Sequence, residues 1–360
     1  MIIGIAGQSL TADEKKFIVD NNIGGIVLMG RNVGEPKQVH ALCSEIQSLR
    51  HKTVDKTPFF IGIDMEGGRV ARLKTPFTQW PPLKMLGDLD NATVTFHFSN
   101  KMGIELQAVG INLNFAPCVD IFTNPKNTVI GDRSISTDPE MVAKHASALV
   151  RGYIKSNVLS CVKHFPGHGN TLLDSHEELP VEDLDMPRLD SVELVPFKRS
   201  FKARVDMVMT SHILFKNIDP EWPATLSEIF LKKILRDQCR YRGLIVTDDL
   251  DMKAMVKHYD RKAIPVRALQ AGADLLLYCN EPASPPLAIE GIIEAIAQGQ
   301  LTKANLEASY KRILDLKKDK IPNPDPISLD EAIALIGSPD HQRIAEALAK
   351  GEVPEGVIES

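Results

Sequence analysis

Ionisable residues gather where apolar runs end. One run closes on Asp64-Met65-Glu66-Gly67-Gly68-Arg69, with Arg72 a few places on; another closes on Lys163-His164-Phe165-Pro166-Gly167-His168-Gly169, trailed by Asp174-Ser175-His176. Two more end in Ser211-His212 and Asp248-Asp249. Burying unpaired charge is costly, so folding alone does not account for this pattern. The residue types, carboxylates beside imidazoles, are those that move a proton in a catalytic site. Histidine, with an unperturbed pKa of about 6.5, can both give and take that proton near neutrality. Asp174 stands two residues before His176, where a loop can bring it into hydrogen-bond reach of the ring.

Simpler roles compete for some of these residues. His212 reads as a satisfied structural histidine, and Asp249 as a carboxylate bonding backbone donors at the start of the following helix. Glu66 and Arg69 read equally as a structural ion pair beneath the site. His164, His168 and His176 lie close enough in sequence to raise a divalent metal, but no HxH or HExxH pattern is present. Pro166, Gly167 and Gly169 describe a loop whose backbone approaches a ligand closely, so no metal is expected.

The elements that must position these groups are legible as short apolar runs rich in β-branched residues, the form of strands buried on both faces. They fall at 2–6, 25–29, 59–63, 111–115, 158–162, 207–210, 244–247 and 274–278. Between them, helical spacing of apolar residues recurs, as at 39–49, 102–109, 141–154 and 229–235. Thr11 with Glu14, and Thr225 with Glu228, have the spacing of capping boxes. Eight strand–helix units predict a single-domain α/β protein, a (β/α)8 TIM-type barrel over residues 1–320, whose functional groups cluster at the carboxyl ends of the strands. An open α/β sheet is the competing architecture, yet Gly7-Gln8-Ser9 after the first strand lacks its dinucleotide fingerprint. Residues 321–327 are a proline-spaced linker, followed by short helices at 329–336 and 341–348, so 321–360 reads as an appendage too small to own a core.

Composition narrows the function. The net charge of -5 comes with no basic stripe, which speaks against nucleic acid. Five cysteines without CxxC spacing suit a reducing compartment, and the N-terminus carries no secretory pattern. No run is long enough to span a bilayer. A cytoplasmic, monomeric protein acting on a small molecule, with no cofactor, is expected.

The segments IDMEGGRVARL (63–73), NFAPCVDI (114–121), IGDRSISTDPE (130–140), KHFPGHGNTLLDSHEELP (163–180), MTSHI (209–213) and VTDDLDM (246–252) resemble glycoside hydrolase family 3. Within it, they resemble the single-domain bacterial β-N-acetylglucosaminidases of peptidoglycan recycling. The resemblance implies a retaining hydrolase in which Asp248 is the nucleophile, His176 the acid/base and Asp174 its orienting partner. It also implies that Asp64, Arg72, Arg133, Lys163 and His164 hold the sugar. Met65, Asn170 and Asp251 stand where Gln, Asp and Ser are common in the family; none replaces a catalytic position. The same fold and intermediate would serve a β-glucosidase or a phosphorylase, and a non-catalytic sugar-binding barrel is the remote alternative.

Overall fold

A computed structural model describes residues 1–357. Eight parallel strands, β1 (Ile2–Gly4), β2 (Gly25–Leu28), β3 (Phe60–Ile63), β4 (Leu113–Asn114), β5 (Leu159–Phe165), β6 (Met207–Thr210), β7 (Leu244–Asp249) and β8 (Leu275–Tyr278), close into a barrel. Neighbours in sequence are neighbours in space throughout, and Ile2 opposite Leu277 completes the ring. The apolar runs are continuous because both strand faces are buried. Ile2, Phe60, Leu159, Met207, Leu244 and Leu275 fill the interior. Ile3, Ile61, Val208, Ile245 and Leu276 instead face the surrounding helices. Full burial of such a side chain contributes about 1.5–3 kcal/mol.

Strand boundaries differ from expectation where the chemistry lies. β5 runs on through Lys163 and His164, and β7 through Asp248 and Asp249. These charged residues are therefore held on the barrel wall, not on loops beyond it.

The helices include α1 (Ala12–Asp20), α2 (Pro36–Ser48), α3 (Ala92–Ala108), α4 (Pro139–Lys155) and α5 (Leu194–Lys202). Thr11 and Glu14 form the expected capping box on α1. α3 begins ten residues before the expected position 102. After Ala92 its first turns, Thr-Val-Thr-Phe-His-Phe, are weak helix formers, but Asn91 caps the amides of Thr93 and Val94 and the helix packs along α4. The second capping box does not form. Thr225 turns inward to bond Thr210 and His212, and the helix α6 (Ile229–Gln238), wound in the wider π form, has Ser227 accepting from the amide of Phe230.

The appendage expected over 321–360 is described to residue 357; residues 358–360 lie outside the described chain. Its helices, α7 (Leu329–Leu335) and α8 (Pro339–Ala349), lie along the side of the barrel against α2 and α3. His341 reaches the buried Glu105 of α3 at 2.7 Å, and Arg50 takes Asp325 through both terminal nitrogens at 2.8 and 2.7 Å. No helix among the described residues is long and apolar enough to cross a membrane.

Candidate active site

At the carboxyl ends of the strands lies a cavity of about 190 Å3. Asp64, Arg72, Arg133, Lys163, His164, His176 and Asp248 all line it. Val27, Phe115, Met209 and Leu277, from the barrel's interior layer, close it underneath.

Two acidic residues organise the cationic wall. Glu66 is 1% exposed and accepts from Arg133 at 2.9 Å twice and from Lys163 at 2.8 Å. Burial pushes its carboxyl up, but Arg133 and Lys163 outweigh that and hold it well below the usual range. Lys163 also donates to Asp64 at 2.7 Å, while Arg72 stands 3.6 Å from the other Asp64 oxygen. The expected Glu66–Arg69 pair is absent. Gly67 and Gly68, at φ +101° and +56°, reverse the chain into a short ribbon that sends Glu66 inward and Arg69 out to Asp132.

Asp120, which sequence reasoning left unassigned, is the second organiser. It is 1% exposed, and its oxygens collect His164 Nδ1 at 2.7 Å, the His168 amide at 2.7 Å and the His164 amide at 3.2 Å. Burial raises its pKa and the two histidines lower it further, to about 2. With Nδ1 engaged, His164 presents Nε2 to the pocket beside Arg133. The signal was present in the sequence: a charged residue inside the apolar run Cys118-Val119-Asp120-Ile121 must find partners if buried.

Asp248 is half-buried at the end of β7. Burial pushes its carboxyl up, but His164, His212 and the Asp249 amide, which donates to it at 2.8 Å, bring it below the ordinary value. A carboxyl held there is ionised at neutral pH and available as a nucleophile. His212 is fully buried between Thr225 Oγ1 at 2.8 Å and the Asp249 carbonyl at 3.0 Å, the structural role expected of it. Asp249 does bond backbone donors, but these are the amides of Asp251 and Cys279, both at 3.1 Å. It therefore ties β7 to the exit of β8 and caps no helix.

Asp174 and His176 sit on the loop after β5. The His176 ring donates Nδ1–H to Asp174 at 2.8 Å, and its amide reaches the same oxygen at 2.9 Å, leaving Nε2 free. Burial raises the Asp174 carboxyl, but the His176 bonds bring it below its ordinary value. Asp174 lies behind the ring and does not line the cavity.

Among the described residues, Cys118, Asp120 and His164 could hold a metal ion, their ligand atoms lying within 4.8 Å of one another. They already satisfy each other, Cys118 Sγ donating to Asp120 at 3.3 Å, and the carboxylate is committed to two amides besides. The donor set does not call for a metal.

Comparison with known proteins defines the class, a glycoside hydrolase built on a (β/α)8 barrel. The family described as "Glycosyl hydrolase family 3 N terminal domain" matches residues 3–316, and the chain belongs to that family. Within it the chain groups by sequence with the β-N-acetylhexosaminidases. A beta-hexosaminidase of Pseudomonas aeruginosa (strain LESB58) is 34% identical over 293 residues, 81% of this chain and 86% of the relative. Beta-hexosaminidase A of Pseudoalteromonas piscicida is 32% identical over 97% of this chain, which spans 62% of that relative's length. Among solved structures, a family 3 β-N-acetylglucosaminidase from Paenibacillus sp. str. FPU-7 superposes with a TM-score of 0.90 at 34% identity, covering 98% of this chain and 67% of the other. NagZ from Neisseria gonorrhoeae, in complex with N-trifluoroacetyl-D-glucosamine, does so with a TM-score of 0.78 at 30% identity, covering 98% of each chain.

Proposed function

We propose that the protein is a retaining exo-β-N-acetylglucosaminidase that removes terminal N-acetylglucosamine from peptidoglycan fragments, the sugar being joined there to 1,6-anhydro-N-acetylmuramic acid with or without peptide. One observation carries this reading: a lowered carboxyl, Asp248, and a carboxylate-bound imidazole, His176, line one cavity. In the first step an Asp248 oxygen bonds to the anomeric carbon as the glycosidic C–O bond breaks, and protonated His176 gives its Nε2 proton to the departing oxygen. In the second, neutral His176 takes a proton from water, whose oxygen displaces the Asp248 carboxylate from the sugar. Asp174 fixes the ring's orientation through both steps. Asp64, Arg72, Arg133, Lys163 and His164 hold the sugar hydroxyls, and the closed floor suits a terminal residue over the middle of a chain.

Residues 1–320 are the catalytic barrel in this reading and 321–360 an appendage. The five free cysteines, four of them buried, fit a cytoplasmic setting. The protein would work there as a monomer without a cofactor, a nucleic-acid partner or a membrane.

Mass spectrometry after treatment with a slow-reacting fluorinated N-acetylglucosaminyl donor tests sugar and nucleophile together. A single adduct on the peptide bearing Asp248 is expected. An adduct on another residue, or none with this donor and one with its glucosyl counterpart, would overturn the assignment.

A further inference from the structure

We propose that Ser175, held by His168, is the pin that sets how far His176 reaches across the cavity toward Asp248. This rests on the acid/base reading of His176. The loop carrying the Asp174–His176 pair has an unusual pattern of burial. The side chains of Asp174 and His176 are 42% and 64% exposed, yet Ser175 between them is 2% exposed. A small polar residue buried between two exposed ones needs partners, and Ser175 has them on both sides. Its hydroxyl meets His168 Nε2 at 3.1 Å, and its carbonyl accepts from the Ala254 amide at 3.3 Å, just beyond the strand that bears Asp248.

His168 is a rigid post for such a pin. Its amide is held by Asp120, its carbonyl accepts from Asn127 at 2.8 Å, and its other ring nitrogen meets Thr171 Oγ1 at 2.7 Å. The ring is 2% exposed and packs edge-on against His164, the centroids 5.7 Å apart. Burial lowers its pKa to about 4, so near neutrality it is uncharged and offers one donor and one acceptor to its two hydroxyl partners. One buried carboxylate, Asp120, thus anchors both the sugar-facing His164 and the post that carries the catalytic loop.

The consequence is mechanical. Thr171 and Ser175 fasten the loop at both ends, leaving only residues 172–174 between them, with Leu172 and Leu173 68% and 51% exposed. His176 cannot swing away from the pocket without breaking the Ser175 bond. Besides the Ser175 carbonyl on the Ala254 amide, the ties that follow His176 are exposed: Lys253 to Glu177, Lys257 to Glu178 and to the Glu177 carbonyl, and His258 to Glu178, contacts of the kind that hold geometry weakly. Ser175 and His168 are positioning residues, acting on the reaction only through His176.

Leaving-group dependence tests this, because a proton donor matters most when the departing group is a poor one. kcat/KM would be measured for aryl N-acetyl-β-glucosaminides from dinitrophenyl to phenyl with Ser175→Ala, His168→Asn and His168→Gln, and with His176→Ala as reference. Thermal unfolding would confirm that each variant is folded. Asn imitates the Nδ1 side of histidine and drops the Ser175 contact, whereas Gln imitates the Nε2 side and keeps it. Ser175→Ala and His168→Asn are expected to lose about 10- to 100-fold on the phenyl glycoside and under about threefold on the dinitrophenyl one, with His168→Gln nearer wild type. An equal loss across all leaving groups, or no loss, while His176→Ala remains steep, would overturn the pin alone. A flat profile for His176→Ala would overturn the acid/base reading and the pin with it.

Discussion

The guanidinium of Arg133 forks onto the buried Glu66 carboxylate, Nε to Oε2 and Nη2 to Oε1, each at 2.9 Å. With Lys163 on the same carboxylate at 2.8 Å, two cations that face the cavity are set in place from beneath before any sugar arrives. Glu66→Gln keeps the shape and removes the charge, leaving both cations short of a partner. Breaking a buried network of this kind costs about 3–5 kcal/mol. The urea midpoint should fall accordingly, and KM for an aryl N-acetyl-β-glucosaminide should rise roughly tenfold or more. An unchanged midpoint would mean that Asp64 alone suffices to hold Lys163.

Removing the proposed nucleophile has a sharper signature. Asp248→Ala should lower kcat by at least about 1,000-fold. Azide, small enough to enter the space left behind, should restore part of the turnover and yield a glycosyl azide of the opposite anomeric configuration. Product analysis by NMR checks this. A β-configured azide would place the nucleophile elsewhere.

Asp249 gives a pH dependence of stability. Burial drives its carboxyl up to about 6, outweighing the bonds it accepts from the Asp251 and Cys279 amides. The folded protein therefore binds more protons than the unfolded chain between about pH 4 and pH 6, and this group's contribution to stability falls as pH rises through that window. Asp249 is 8% exposed, and a shift of this size is worth about 2–3 kcal/mol. Asp249→Asn should gain on wild type at about pH 7.5 and lose that advantage near pH 4. Chemical denaturation at the two pH values decides it; an advantage independent of pH would rule out titration of Asp249 as its source.

The appendage should matter to stability and not to turnover. Glu105, buried in α3, accepts from the Thr78 amide at 2.9 Å, the Gly337 amide at 3.0 Å and His341 Nδ1 at 2.7 Å. His341→Ala removes one of these donors from a buried carboxylate, a loss of about 1–3 kcal/mol. The melting temperature should drop while kcat and KM stay within about twofold, since His341 lies along the side of the barrel, away from the cavity. A changed KM would connect the appendage to the sugar site.

Much of this was readable from the chain. The apolar runs marked all eight strands because a barrel strand is buried on both faces and leaves no polar alternation to blur the signal. Asp64, Lys163, His164 and Asp248 could be placed at strand ends for the same reason: a charge that interrupts such a run stands at its boundary. Local pattern failed where a distant partner outvoted it. Thr225 had the spacing of a cap but faces inward to His212, and Glu66 lies near Arg69 in sequence but pairs with Arg133, 67 positions on.

The amino-acid sequence by itself determined which residue types stand at which strand ends, since that follows from short-range periodicity and from the cost of burying charge. Only the tertiary structure decided who holds whom. Asp120 gathering His164 and His168, and Ser175 turning inward between two exposed neighbours, depend on barrel closure bringing separate loops within hydrogen-bond distance. Spacing along one chain carries no record of distances set by folding, which is why residues that line the cavity could be named in advance and their supports could not.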